Sequence, residues 1–262
     1  GEQVWNYTTG DWVLSSPAVA DGKVYVGSGD GYVYCLNTLT GEYIWGTPIG
    51  PVFSSPAIAD GKVFVGIAAF VLPAYGKIYC LHASTGEQVW NYTTGDWVLS
   101  SPAVADGKVY VGSGDGYVYC LNTLTGEYIW GTPIGPVFSS PAIADGKVFV
   151  GTDYGKIYCL DAITGAHIWN YTTDESVGSS PAVADDKVYV GSYDNKTYCL
   201  DATTGNLIWN YTTDGWVYSS PAVVNGKVYV GSYDGKIYCL CASTGEQVWN
   251  YTTGDWVLSS PA

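Results

Sequence analysis

The chain has 262 residues, of which 47% are hydrophobic and 13% charged, a composition that indicates a folded domain and excludes an intrinsically disordered chain. Its net charge is −14, with 10 Lys, no Arg and 24 acidic residues, so the clustered cations that nucleic-acid binding requires are missing. No apolar run of about 18 residues is present, so no membrane span is predicted. The chain also lacks Met, from which we expect a processed or excised piece of a longer protein.

An internal repeat organises the chain. The tetrapeptide SSPA recurs at intervals of 39, 46, 39, 40, 40 and 40 residues, and residues 1–66 reappear unchanged as residues 86–151. Repeats of this length are typical of propellers and solenoids. We interpret residues 1–262 as a single domain whose repeats cover approximately 15–53, 54–99, 100–138, 139–178, 179–218 and 219–258.

Each repeat contains four short runs with strand character. In the last repeat these runs are SSPAVV, VYVGS, IYCLCA and EQVWNYT, separated by NGK, YDGK and STG. Val, Ile, Tyr and Trp within the runs, with Gly, Asn and Asp between them, are typical of antiparallel hairpins. Several runs are apolar on both faces, which predicts strands covered on both sides. We therefore predict an all-β fold, a β-propeller of six four-stranded antiparallel blades around a central channel, rather than an open solenoid with polar capping repeats.

The third and fourth runs of each repeat carry a more specific motif. CLDATTGNLIW at 199–209, CLDAITGAHIW at 159–169 and CLNTLTGEYIW at 35–45 and 120–130 share one form. This form resembles the tryptophan-docking motif of PQQ-type (pyrroloquinoline-quinone) propeller repeats, A-x-D-x-x-T-G-x-x-x-W, in which the Trp packs between adjacent blades. The resemblance implies docking roles for Trp45, Trp90, Trp130, Trp169, Trp209 and either Trp5 or Trp249. Looser docking is expected where the motif's Asp is replaced, at Asn37, His82, Asn122 and Cys241.

The same eighteen residues, GEQVWNYTTGDWVLSSPA, begin the chain and end it at 245–262. Residues 1–14 and 245–262 therefore each offer an outer strand, around Val4–Tyr7 and Val248–Tyr251, for the last blade. A closed ring needs only one of these strands. We expect the other to be displaced, frayed or paired with another molecule, since an unpaired strand is a template for self-association.

The loops that differ between repeats are where function is expected. The connections from fourth to first strands place aromatic and acidic residues at one face of the propeller. Aromatic rings beside carboxylates can stack on sugars or hold a peptide, although packing between blades is the favoured interpretation. The residues concerned are Trp12, Trp97 and Trp216 with Asp11, Asp96 and Asp214.

One repeat contains an apolar insertion, IAAFVLPA at 67–74, where another repeat has only Thr152–Asp153. Apolar residues left exposed in a loop are costly. We therefore expect Phe70 and Leu72 to lie over the channel mouth, against their own blade or against a partner.

Seven Cys are present, and six of them occupy one repeat position inside a strand. They are predicted to be small buried hydrophobes without disulfides, because packed sheets lie about 10 Å apart and a disulfide needs Cα atoms within about 7 Å. No metal site is predicted, since there is no CxxC and the two His, His82 and His167, lie in separate repeats. The Cys residues are Cys35, Cys80, Cys120, Cys159, Cys199, Cys239 and Cys241.

The resemblance also bears on catalysis. Enzymes of that family that use PQQ have eight blades, a disulfide between adjacent Cys and an acidic calcium site. This chain has fewer repeats, no Cys-Cys dipeptide and no Arg to hold the quinone carboxylates. We therefore expect no enzyme and no cofactor, with PQQ or calcium as disfavoured alternatives.

Taken together, these features predict a non-catalytic scaffold that binds a protein or surface polymer through one face. The alternatives are a lectin-like glycan-binding module, a divergent PQQ-binding protein, and an engineered or structural repeat assembly. Five NYT sequences and one NKT sequence match the N-glycosylation motif, which favours a cell-surface or extracytoplasmic location. Unpaired Cys argue mildly against that location.

Overall fold

The computed structural model describes residues 1–69 and 74–260, which contain 24 β-strands and no helix. The strands form six antiparallel sheets of four strands each, and in every sheet neighbouring strands are consecutive in sequence. The predicted architecture of six four-stranded sheets is confirmed. The chain divides into two compact units, Gly1–Pro133 and Ile134–Ala262.

The first unit holds three sheets, numbered here in chain order. The first sheet contains β1 (Ala18–Ala20), β2 (Lys23–Gly27), β3 (Tyr32–Asn37) and β4 (Tyr43–Pro48). The second sheet contains β5 (Ala57–Ala59), β6 (Lys62–Ala69), β7 (Tyr75–His82) and β8 (Gln88–Thr94). The third sheet contains β9 (Ala103–Ala105), β10 (Lys108–Gly112), β11 (Tyr117–Asn122) and β12 (Tyr128–Pro133).

The second unit holds the remaining three sheets. The fourth sheet contains β13 (Ala142–Ala144), β14 (Lys147–Gly151), β15 (Lys156–Asp161) and β16 (His167–Thr172). The fifth sheet contains β17 (Ala182–Ala184), β18 (Lys187–Gly191), β19 (Lys196–Asp201) and β20 (Leu207–Thr212). The sixth sheet contains β21 (Ala222–Val224), β22 (Lys227–Gly231), β23 (Lys236–Cys241) and β24 (Gln247–Thr252).

Two-residue turns set the register of the first hairpin in each sheet. In the first sheet Ala20 pairs with Lys23, so only Asp21 and Gly22 form the turn. Both have positive φ, 49° and 72°, as a type I′ turn requires. The Asp-Gly dipeptide tolerates this conformation, and its twist matches that of the strands it joins.

The SSPA tetrapeptide has two structural roles. Its first Ser is buried and bonds the last residue of the second strand: Ser100 Oγ donates to the Gly112 carbonyl and accepts from the Gly112 N–H, both at 2.8 Å. Its second Ser links neighbouring sheets, since the Ser55 N–H donates to Ser101 Oγ at 2.9 Å. Within each unit the tetrapeptide therefore ties first strands to their own sheet and to the next one.

Within each unit the core lies between consecutive sheets. Phe64, Cys80 and Trp90 of the second sheet pack against Val109 and Leu121 of the third. Tyr189, Cys199 and Trp209 of the fifth sheet occupy the same positions against the sixth sheet. Both faces of an inner sheet are thereby buried, in agreement with its strands being apolar on both sides.

The apolar insertion differs in part from the prediction. Residues Ile67, Ala68 and Ala69 are buried and paired in an extension of β6, rather than forming a loop. The strands β6 and β7 each have eight residues, against five in β14 and six in β15 of the fourth sheet. Pairing satisfies the backbone polar groups of this apolar stretch. Phe70 and Leu72 lie outside the described residues.

The two identical end segments have different structures. Residues 247–252 form β24, paired with β23 from Lys236↔Thr252 to Leu240↔Gln247. Residues 1–14 belong to no strand and lie against the first sheet, where the Trp5 indole N–H donates to the Thr38 carbonyl at 2.9 Å.

Candidate functional site

Four Trp residues connect consecutive sheets with one repeated geometry. Each is 7–8% exposed, and its indole N–H donates to a backbone carbonyl in the turn between the third and fourth strands of the next sheet. The bonds are Trp45 to Ala83 and Trp90 to Thr123 at 3.1 Å, Trp169 to Ala202 at 3.2 Å and Trp209 to Ala242 at 3.1 Å. Trp130 is buried to the same degree.

Trp249 differs from the other Trp residues of the motif. It is 44% exposed and packs on Tyr229 with ring centroids 5.9 Å apart. Within the part of the chain that the structure describes, its indole N–H has no carbonyl acceptor. The side chain that should dock on a following sheet is therefore at the surface.

The turn that receives each Trp is braced by its own side chains. Oδ1 of Asp201 accepts the Thr203 and Thr204 N–H groups and the Thr204 hydroxyl, and these bonds hold the pKa of Asp201 below its usual range. Asn37 Oδ1 accepts the two corresponding N–H groups of Leu39 and Thr40. Replacing Asp does not lengthen the docking bond, because the turn that contains His82 still receives Trp45 at 3.1 Å. The looser docking expected there is not seen.

Cys241 occupies the bracing position in the sixth sheet. Its Sγ lies 3.3 Å from Ser243 Oγ. Hydrogen bonds from the Ser243 and Thr244 hydroxyls, supported by their backbone N–H groups, lower the pKa of Cys241 to about 6. A thiol of lowered pKa thus stands where Asp201 braces the corresponding turn of the fifth sheet. The other six Cys are free and buried, and burial raises the pKa of Cys35 to about 11 and of Cys199 to about 12.

Alkylation should therefore distinguish Cys241 from all other thiols. In the native chain, iodoacetamide is expected to modify one Cys, with a rate that rises through a midpoint near pH 6, and Cys241→Asp should abolish the reaction. Because the folded pKa lies below the unfolded value of about 8.5, the thiolate's contribution to stability is complete above pH ~8.5 and is lost as pH falls through 6. Mass spectrometry after pulsed alkylation measures the rate; a midpoint near 8.5 would contradict the assignment.

Of the predicted face residues in the first unit, Trp12 and Trp97 have different surroundings. Trp12 is 74% exposed, and it lines a groove of about 420 Å3 with Asp11 and Phe53. Trp97 is half-buried, and its indole N–H donates to the Ala69 carbonyl of the extended hairpin at 3.1 Å. Packing thus accounts for Trp97, whereas Trp12 remains exposed.

The Asp residues of these loops mainly bond their own backbone. Asp11 Oδ1 accepts the Trp12 N–H, and Asp96 Oδ1 accepts the Trp97 N–H, each at 2.7 Å. Asp214 instead pairs with Lys236, whose Nζ lies 3.1 Å from Asp214 Oδ2. Asp side chains in turns commonly accept hydrogen bonds from nearby backbone N–H groups.

Trp216 belongs to a continuous series of aromatic rings in the second unit, which we call the aromatic ladder. Consecutive rings are stacked or tilted, with centroids 5.0–5.8 Å apart. Three of its members are exposed: Tyr218 at 43%, Trp216 at 49% and Trp256 at 64%. The ladder runs Tyr218, Tyr193, Trp216, Tyr233, Trp256.

Acidic grooves border the ladder. One groove of about 430 Å3 is lined by Asn195, Asp214, Trp216, Tyr233 and Trp256. A second, of about 290 Å3, is lined by Tyr233 and Trp256 together with Asp234 and Asp255. Flat apolar rings beside hydrogen-bonding carboxylates can hold a peptide backbone or a sugar ring.

Sequence reasoning found Trp216 and Asp214 but missed Tyr193, Tyr218, Tyr233 and Trp256. A usable signal exists in the connections between second and third strands. Repeats with GSGD carry Gly29 and Gly114, whereas the fifth and sixth repeats carry Tyr193 and Tyr233 at that place. Burial raises the pKa of Tyr193, so its hydroxyl stays protonated and able to donate.

Among residues 1–69 and 74–260, no three His, Cys, Asp or Glu side chains lie close enough together to hold a metal ion. No helix in these ranges has the length and hydrophobicity needed to cross a membrane.

Comparison with solved structures shows the fold. BamB from Moraxella catarrhalis is 22% identical with a TM-score of 0.82, over 98% of this chain and 79% of that chain. A europium-containing methanol dehydrogenase is 15% identical with a TM-score of 0.81, over 98% of this chain and 73% of that chain. The computationally designed Ika8 protein is 18% identical with a TM-score of 0.67, over 94% of this chain and 89% of that chain. The predicted β-propeller class is confirmed.

Comparison with sequences shows the family. No curated protein sequence matches the chain. The family model described as outer membrane protein assembly factor BamB matches residues 1–69, 66–133, 114–215 and 177–262, and so extends over the whole chain. The resemblance to PQQ-type repeats is thereby confirmed, and the chain belongs to the family of PQQ-like repeat propellers that this description covers.

Proposed function

We propose that the chain is a non-catalytic interaction scaffold that binds a partner protein through the aromatic ladder. The observation that carries the proposal is the exposure of Trp216, Tyr218 and Trp256 in one stacked series. Large aromatic side chains, pre-positioned by their neighbours, are the residues that dominate binding energy at protein interfaces. The family description as an assembly factor supports an interaction role, and with it an extracytoplasmic or cell-surface setting.

The chain's residues do not fit PQQ, although enzymes that use quinones are among the structural neighbours. There is no Arg to hold the quinone carboxylates and no adjacent Cys pair. The Cys residues lie singly in separate sheets, except Cys239 and Cys241, which share β23. We therefore propose neither PQQ nor calcium as a cofactor.

Glycan binding is the second candidate function. It is favoured by one observation, the placement of Trp216 and Trp256 beside Asp214 and Asp255 in the grooves of the ladder. A sugar ring stacked on either indole would find acidic hydrogen-bond acceptors within the same groove.

The test selects ligands on the immobilised 262-residue chain from a random peptide library and, in parallel, from a glycan array. We expect enriched peptides whose affinity falls at least about tenfold in the double variant Trp216→Ala/Trp256→Ala. The matched control is Trp12→Ala, which removes another exposed indole outside the ladder and should leave the affinity unchanged.

The outcomes separate the candidates. If no peptide is enriched and the chain binds a glycan saturably, and if the double variant loses that binding, the ligand of the ladder is a glycan and not a protein. Peptides that bind both variants equally well place the site outside the ladder and contradict the proposal. Alcohol oxidation by the chain with added PQQ and calcium would contradict its non-catalytic part.

A further inference from the structure

Trp97 and Trp216 stand at corresponding places in two connections from a fourth to a first strand. The connections read TTGDWV at 93–98 and TTDGWV at 212–217. In both, the backbone carbonyl of the Trp accepts an N–H from the next sheet at 2.9 Å, and the Val that follows it donates to a carbonyl of the preceding sheet at 3.1 Å. The two indoles are therefore carried by backbones with matching contacts.

The two indoles differ in the chain segment that lies beside them. In the second sheet β6 continues beyond Gly66 as Ile67–Ala69, and the Trp97 indole N–H donates to the carbonyl of the last of these residues at 3.1 Å. In the fifth sheet β18 ends at Gly191, which bonds its Ser as Gly66 does, and the chain then turns back. The fifth sheet thus has no strand segment at the place of Ile67–Ala69.

The Trp216 side chain has ring contacts but no acceptor for its N–H. It stacks on Tyr193 with centroids 5.4 Å apart and 10° between the planes, and Tyr233 lies 5.3 Å away on the ladder. Trp216 is 49% exposed, and its indole N–H bonds no carbonyl within residues 1–69 and 74–260. The neighbouring rings hold the indole in place, and its only hydrogen-bond donor is left for a ligand.

The surroundings of Trp216 are acidic. Asp214 lines the groove of Trp216, and Asp234 lines the groove beside Tyr233. Lys236 is already paired with Asp214 at 3.1 Å, and Asp234 has no ion pair among the described residues. Charge complementarity therefore favours a ligand that carries positive charge.

We propose that the ladder binds an extended, cationic peptide segment of its partner in the way that the second sheet binds its own residues 67–69. The Trp216 indole N–H donates to a backbone carbonyl of that segment. Small side chains beside this carbonyl, like those of Ala68 and Ala69, let the backbone approach the ring. Lys or Arg side chains on either side of it interact with the groove carboxylates. This inference rests on the proposed function, since it names the kind of segment through which the partner is bound.

The test uses a synthetic peptide as its probe. In this peptide the sequence Gly-Ile-Ala-Ala of residues 66–69 lies between Lys residues, and both ends are blocked. It is added to the isotope-labelled 262-residue chain, and the indole N–H signals, assigned by single Trp→Phe substitutions, are followed by nuclear magnetic resonance. We expect the Trp216 signal to move downfield saturably and the Trp97 signal to stay in place, because the Trp97 donor is already bonded.

Trp216→Phe separates the hydrogen bond from ring stacking, because it keeps an aromatic ring and removes the N–H. It should raise the dissociation constant of the peptide at least about fivefold, the effect of one lost hydrogen bond. Trp97→Phe is the matched control and should leave the dissociation constant unchanged, with circular dichroism confirming that both variants are folded. A peptide with Glu in place of Lys should bind more weakly than the Lys peptide.

Peptide binding that is unchanged in Trp216→Phe overturns the inference, because the indole N–H then makes no bond in the complex. A Trp216 signal that stays in place at millimolar peptide overturns it as well, and equal binding of the Glu peptide overturns its cationic part. The proposed function fails by a different result, namely library-selected peptides that bind Trp216→Ala/Trp256→Ala as tightly as the parent chain.

Discussion

Trp90→Ala is expected to destabilise the fold by about 3–5 kcal/mol, whereas Trp249→Ala should cost about 1 kcal/mol or less. Both residues stand in the sequence ASTGEQVWNYTTGDW. Trp90 fills the space between the second and third sheets against Phe64 and bonds the Thr123 carbonyl. Its removal leaves a cavity and an unsatisfied carbonyl, while Trp249 is already 44% exposed and bonds no carbonyl in the described residues.

Urea unfolding followed by far-ultraviolet circular dichroism measures both variants without relying on Trp fluorescence. The transition midpoint of Trp90→Ala should fall steeply with little change in slope, and that of Trp249→Ala should stay near the parent's. Equal losses in the two variants would contradict the docking role assigned to Trp90.

The second large effect is expected at the glycine beneath the docked ring. Gly126 has a φ of +72°, and an added Cβ would lie 2.6 Å from Cδ2 of Trp90. Gly126→Ala should therefore cost about 1–2 kcal/mol in backbone strain and a further 1–3 kcal/mol in overpacking against the indole.

Gly107→Ala is the matched control for this prediction. Its φ is +70°, but no atom lies within 4 Å of the added Cβ, so only the backbone strain applies. The difference in unfolding free energy between the two variants isolates the contact with Trp90. If Gly107→Ala is as damaging as Gly126→Ala, the indole does not press on this turn.

The hairpins of this chain were predictable because their signals are local. A turn such as Asp21-Gly22 needs positive φ at both residues and occurs between runs of alternating Val and Tyr. The apolar insertion was not predicted correctly, because its strand pairing has no counterpart in the other repeats. Ile67–Ala69 read as a loop by comparison with a shorter repeat, but the strand partner Tyr75–Lys77 extends the pairing.

The end segments mark the limit of local reasoning. Residues 1–14 and 245–258 have identical preferences, so only what lies beside them decides which becomes a strand. The carboxyl-terminal copy follows β23 through a tight turn and pairs with it, while residues 1–14 belong to no strand and lie against the first sheet through Trp5.

The aromatic ladder was found only in part because its rings come from two sets of loops. Trp216 was predicted from the connections between fourth and first strands. Tyr193 and Tyr233 come from the other set, and their approach to Trp216 depends on the spacing of neighbouring sheets. Such distances are tertiary and have no periodic signature in the sequence.

The central claim is that the tryptophan of the repeated motif is structural where the next sheet covers it, as it covers Trp90. Hydroxyl-radical footprinting, read by tandem mass spectrometry of the tryptic peptides 78–108 and 237–262, compares Trp90 and Trp249 directly. We predict strong protection of Trp90, with Trp45, Trp169 and Trp209, and oxidation of Trp249 at a rate between those of Trp90 and Trp12. Equal oxidation of Trp90 and Trp249 would contradict the account.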